Sequence, residues 1–116
     1  MSAQNTAILT HTVSAAGVIA ANRFVTPLGA QAGADANTLG AARFAAAAAG
    51  EKIPVDVLGT AVVEAGAAIA AGATVKSDAT GRAITWVTSG AKVGLALQAA
   101  GAAGEMIEIL LVPNAA

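Results

Sequence analysis

Short apolar runs separated by glycine, alanine and polar turn residues set the rhythm of this chain. Ala7–Val13 reads as a strand, Ile53, Val55 and Val57 alternate with other residues, and "MIEILLV" (106–112) is β-branched and apolar with partial alternation. Period-two alternation predicts half-buried strands. Further strands are expected at Arg23–Pro27, where Pro27 ends the run, at Ala73–Lys76, at Ala83–Thr88 and in "AKVGLALQ" (91–98). "SDATGR" (77–82) reads as the turn between two of these: Asp78 caps its own backbone and Gly81 supplies a positive φ.

One stretch resists the pattern. "AAAAAGEKIPVDV" (45–57) opens with five alanines, the strongest helix formers by intrinsic propensity, and then turns strand-like after Gly50. An internal repeat decides between helix and loop. Displaced by 54 positions, "LGAARFAAAAAGEKIPVDV" (39–57) falls without a gap on "VGLALQAAGAAGEMIEILL" (93–111), with nine of nineteen positions identical. Five identities are alanines and carry little weight here; Gly40, Gly50, Glu51 and Ile53 are the informative ones. A weaker match sets "VIAANRFVT" (18–26) on "AIAAGATVK" (68–76), where Asn22 meets Gly72, two residues that tolerate a left-handed backbone. In the second copy "AAGAAGE" carries two glycines, each costing a helix about 1 kcal/mol relative to alanine. A turn between strands fits both copies, so Ala45–Glu51 is expected to be a loop.

The predicted fold is all-β, a small antiparallel barrel or sandwich of two similar strand–turn–strand modules, 14–63 and 64–116. Helix is expected in less than about a fifth of the chain, since turn signals recur at the spacing of such folds. Residues 1–6 read as a flexible N-terminal arm and 7–116 as a single domain. Pro54 inside a strand predicts a sheet edge, because proline has no N–H to donate.

Composition narrows the function by exclusion. The 116 residues include 34 alanines, 3% aromatic residues and 11% charged ones, so the core is thin and small side chains dominate. A net charge of −1 leaves no clustered basic footprint for nucleic acid. No cysteine is present, which removes disulfides and thiolate metal sites. No basic start followed by an apolar run predicts export, and no apolar run approaches the length of a membrane-spanning helix.

Chemistry-bearing residues are sparse. His11 is the only histidine and has no nearby nucleophile or carboxylate in sequence, so a structural or surface role is expected. Glu51 and Glu105 occupy equivalent repeat positions and read as solvated turn exits. "AGAAIAAGATVKS" lacks the Gly-Lys-Ser/Thr ending of a phosphate loop, and Asp35, Asn37 and Asp78 make no calcium-loop pattern. Neither an enzyme, a cofactor nor a metal site is expected. Trp86, the lone tryptophan, suits either the core or an interface.

The ordered pieces resemble the small capsid-cement, or head-decoration, proteins of tailed bacteriophages. The similar pieces are Ala-Ile-x-x-Gly-x-x-Val at Ala68–Val75, the Asp-Ala-x-Gly hairpin within Lys76–Ile84, Val-Gly-x-Ala at Val93–Ala96, and the closing Ala-Gly-Glu strand at Ala103–Leu111. Gly50–Val57 carries the family's Gly-Glu and alternating valines in the first half. The resemblance implies a structural virion protein on the outer surface of the head that binds the major capsid protein and stabilises the shell against DNA pressure. It also implies a homotrimer at three-fold or quasi-three-fold positions, with no direct contact to nucleic acid or membrane. Candidate contacts are the polar start Ser2, Ala3, Gln4, Asn5 and Thr6, the strand at Pro54, and Trp86. Two alternatives stand beside this: another virion component such as a tail or fibre adaptor, and a small ligand-binding β-barrel.

Overall fold

A computed structural model describes residues 4–112. Eight strands make up one antiparallel sheet: β1 (Ala7–Ser14), β2 (Arg23–Val25), β3 (Gly40–Ala42), β4 (Lys52–Glu64), β5 (Thr74–Ser77), β6 (Ala83–Thr85), β7 (Gly94–Ala96) and β8 (Met106–Leu111). No described residue is helical. The alanine run is a loop, as the repeat requires: a helix there would have to leave its apolar face unpacked, and Ala46 instead bridges Ile19.

The sheet runs β2-β3-β4-β8-β7-β5-β6, with β1 paired to β4. Its two ends meet where the Phe24 N–H donates to the Gly81 carbonyl at 2.8 Å, so the sheet curls into a nearly closed barrel. Of the two architectures expected from sequence, the barrel is the one formed.

The repeat is visible in the ladders that β4 makes with β1, β3 and β8 and in that between β7 and β8. Ala41 faces Asp56 and Ala42 faces Val55; 54 positions on, Leu95 faces Leu110 and Ala96 faces Ile109. Thr10 faces Asp56 and Val13 faces Ile53, as Thr60 faces Leu110 and Val63 faces Ile107. The Ile19–Ala46 bridge reappears as Ile69–Ala100. Asn22 takes φ 60 and its counterpart Gly72 φ 86, the left-handed turn their residue types favour. The structural copies are wider than the sequence match. β1 belongs to the first, and the sequence division at 63/64 falls inside β4, which closes the first copy with Lys52–Val57 and opens the second with Thr60–Glu64.

Each copy keeps its own core. Val13, Ala15, Ile19, Val25, Ala42, Ala46, Ile53 and Val55 form one buried cluster. Their eight counterparts, Val63, Ala65, Ile69, Val75, Ala96, Ala100, Ile107 and Ile109, all lie in a second, larger cluster inside the barrel. Phe24 and Ala41 of the first copy also belong to that larger cluster, so one face of the first copy is closed by the second.

The Pro54 expectation needs correcting in one respect. β4 is an interior strand, between β3 and β8. Its ladder with β3 nevertheless covers only Val55 and Asp56, so Pro54 is paired on the β1 side alone, opposite Thr12. The missing donor is tolerated there because no second ladder asks for it.

Candidate assembly surfaces

Ion pairs first appear where strands must be held together. Arg23 and Arg82 both reach Glu64, with N···O distances of 3.2 and 3.7 Å, and Arg82 Nε also donates to Asp78 Oδ2 at 3.2 Å. Arg23 Nη1 and Gln31 Nε2 each donate to the Thr80 carbonyl at 2.9 Å. These contacts join β2, β4 and the β5–β6 turn, so they fasten the barrel at its seam. The turn itself is built as its sequence predicts. Asp78 Oδ1 accepts from the N–H groups of Thr80 and Arg82, both at 2.9 Å.

A second pair lies on the first copy. Asp56 is fully buried; Arg43 Nη2 donates to its Oδ1 at 2.8 Å and Arg43 Nε to its Oδ2 at 3.3 Å, while the Thr10 hydroxyl donates to Oδ1 at 3.1 Å. Sequence reading singled out neither cluster. A signal was present all the same: Arg43 and Asp56 stand where the second copy has Leu97 and Leu110.

Two carboxylates titrate low. Burial pushes the Asp78 carboxyl up, but the Arg82 and Thr80 donors and the Arg82 charge outweigh it and leave it below the ordinary 3.8. The Lys76 ammonium, 2.7 Å from Asp35, holds that carboxyl low against some desolvation, with the Ser89 hydroxyl adding to the effect. A depressed folded-state pKa contributes stability above the unfolded value, and that contribution is lost as pH falls through the folded value. Urea midpoints for wild type and Asp78→Asn are therefore expected to differ at neutral pH and to converge below about pH 4. A constant gap down to strong acid would show that the Asp78 charge does not stabilise the turn.

The residues expected to make contacts are dispersed. Ser2 and Ala3 lie outside the described residues. Gln4 is exposed. Asn5 and Thr6 touch the barrel: Asn5 Oδ1 accepts from the Val62 N–H at 2.8 Å, the Thr6 N–H donates to Thr60 Oγ1 at 3.0 Å, and the Thr6 carbonyl accepts from the Thr60 N–H at 3.0 Å. Pro54 lies in the β4–β1 ladder. Trp86 is half-buried, donates from Nε1 to the Gly90 carbonyl at 2.9 Å, and carries Lys92 Nζ 4.5 Å above its ring, within cation–π range. Both contacts brace the 86–92 turn. His11 is exposed on β1, facing Val55 across the ladder. Among the described residues no three of His, Asp and Glu gather to hold a metal ion.

Apolar exposure is the more telling surface feature. Among the described residues eleven large hydrophobic side chains are exposed, Ile8, Leu28, Phe44 and Val87 among them. Such a surface suits wide protein contacts.

A family model described as phage cement protein matches residues 3–111. The chain belongs to the phage cement protein family. It is thus a structural virion protein that decorates the outer surface of the head. Among solved structures the barrel is similar to "The crystal structure of head fiber gp8.5 N base in bacteriophage phi29", with a TM-score of 0.71 and 16% identity over 93% of this chain and 97% of that one. At that identity the likeness is one of fold. None of the curated proteins matches the chain. For this cement protein the barrel is a scaffold for contacts, and its ion pairs hold strands in place.

Proposed function

We propose that this cement protein binds the major capsid protein lattice as a homotrimer at three-fold or quasi-three-fold positions of the expanded shell, and braces that shell against the pressure of packaged DNA. The observation that carries the reading is the surface. Among the described residues eleven large apolar side chains stay exposed, while the charged residues are largely spent on internal pairs. A lattice supplies many equivalent contacts, so modest affinity per subunit becomes firm retention once subunits are linked. Each subunit needs roughly 800 Å² in contact with its partners for a standard-sized interface. Cyclic symmetry follows from a three-fold site, where each subunit offers the same surface to an equivalent neighbour. Similarity to the base of a phi29 head fibre supports the use of the barrel as an anchoring unit on a head.

The polar start, Ser2–Thr6, is the shell-facing arm in this proposal, with Pro54 and Trp86 as further contacts. Asn5 and Thr6 bond to β4 and so fix the point from which the arm leaves the barrel. Added to bare heads, the protein is expected to saturate expanded shells and to bind unexpanded precursors far less. Deleting residues 2–4, which leaves Asn5 and Thr6 in place, should weaken shell binding without moving the thermal midpoint. Equal binding to both shell forms would end the lattice proposal, and full binding by the deletion would end the role of the arm.

A further inference from the structure

The two copies of the module are not equally covered. In the first, the β3–β4 face that carries Ala41 and Asp56 is buried, at 1% and 0% exposure, and Ala41 with Phe24 packs into the core of the second copy. The equivalent β7–β8 face carries Leu95 and Leu110, which face one another in the ladder and are 38% and 41% exposed. Leu97 and Met106 extend the same face and are also exposed.

Residue types sharpen the contrast. At Leu95, Leu97, Met106 and Leu110, the first copy has Ala41, Arg43, Lys52 and Asp56. The fold accepts small or charged side chains at all four positions, so it does not require the apolar ones. Four large apolar side chains at open positions, where the same scaffold elsewhere uses none, indicate a contact made outside the subunit.

The occupant can be read from the contact the chain already makes. In the second copy Ala61, Val93 and Leu111 are buried in the cluster that Phe24 and Ala41 enter. Their first-copy counterparts are His11, Leu39 and Val57; His11 is exposed, and Leu39 and Val57 are only partly buried against the smaller core. One subunit thus has an uncovered donor face on its second copy and an unfilled receiving edge on its first. We infer that the Leu95, Leu97, Met106 and Leu110 face docks on the Leu39 and Val57 edge of a second copy of this chain. The contact between subunits repeats the contact between modules. It is head-to-tail, and such a contact closes into a ring when its rotation allows. It deepens the homotrimer proposed above, and rests on that reading only for the number three.

The test uses free protein without shells, so failure of self-association and failure of shell binding are separate results. Wild type is expected to sediment as an oligomer. The Leu97→Arg/Leu110→Asp double variant transplants the first copy's own pair and should raise the dissociation constant by about thirtyfold or more, with an unchanged circular dichroism spectrum. Leu95→Ala, which copies Ala41, is the milder second variant and should weaken association in the same direction. Because the chain has no cysteine, Leu95→Cys and Val57→Cys each introduce a single thiol. Mixed together and oxidised they should give linked dimers, while neither should do so alone. A monomeric wild type, unchanged association in both leucine variants, or dimers from Leu95→Cys alone would each overturn the inference.

Discussion

Arg43→Ala is expected to destabilise the folded chain by about 3 kcal/mol, whereas Arg43→Leu combined with Asp56→Leu should cost no more than about 1 kcal/mol. The Asp56 side chain is 1% exposed and its carboxylate is satisfied by Arg43 from two directions and by the Thr10 hydroxyl. Removing Arg43 alone strands a buried charge, which costs several times more than the pair contributes. Arg43 itself is 36% exposed, so water admitted by its loss keeps the cost at the lower end of the usual range. The double variant leaves no buried charge, and leucines stand at both equivalent positions of the second copy, Leu97 and Leu110. Urea unfolding of Arg43→Leu, Asp56→Leu and the double variant closes the cycle. Additive costs would mean that the two side chains are not coupled and that the pair is incidental.

Gly59→Ala should be nearly as damaging, at about 3 kcal/mol, or a thermal midpoint lower by on the order of 10 °C. Gly59 sits where β4 changes partner from β1 to β8, beside the register shifts of the β1 ladder. Its φ of 100° lies in the left-handed region, and a Cβ there would run into the backbone of Thr6 and Ile8. Gly50 provides the control. It has a similar φ of 91° but open space where its Cβ would go, so Gly50→Ala should lose only the conformational part, about 1–2 kcal/mol. Equal losses at the two positions, by thermal or urea unfolding, would show that the close approach of Thr6 and Ile8 contributes nothing.

Much of this was legible in residues. Nine identities at one fixed offset were enough to turn a run of alanines into a loop, because the second copy interrupts the same run with glycines that a helix disfavours. The Asn22–Gly72 correspondence likewise foretold two left-handed turns from residue type alone. Those are local inferences, and local preference survives folding when the surroundings agree with it. Strand extent was less readable. Residues 58–64 carry no clear alternation signal, yet β4 runs through them, because pairing with β8 compensates for weak propensity.

The candidate contacts divide along the same line. Trp86 stands out in sequence by its residue type, whereas the bonds that orient it, from its indole N–H to Gly90 and from Lys92 to its ring, are visible only in the fold. Leu95, Leu97 and Leu110 look in sequence like ordinary core positions of a strand. Their exposure follows from how the two copies pack, which covers the β3–β4 face of the first and leaves the β7–β8 face of the second open, and no single residue or spacing encodes that.

The sequence by itself determined the all-β class, the two-copy plan, the glycine and asparagine turns and membership of the cement family, since each rests on residue type, order or a short period. Only the tertiary structure decided that the sheet closes as a barrel, that β4 serves both copies, that Arg43 pairs with Asp56 across 13 residues, and which apolar face stays uncovered. Those outcomes depend on which strands meet and what then lies over them, and burial is a property of the assembled chain.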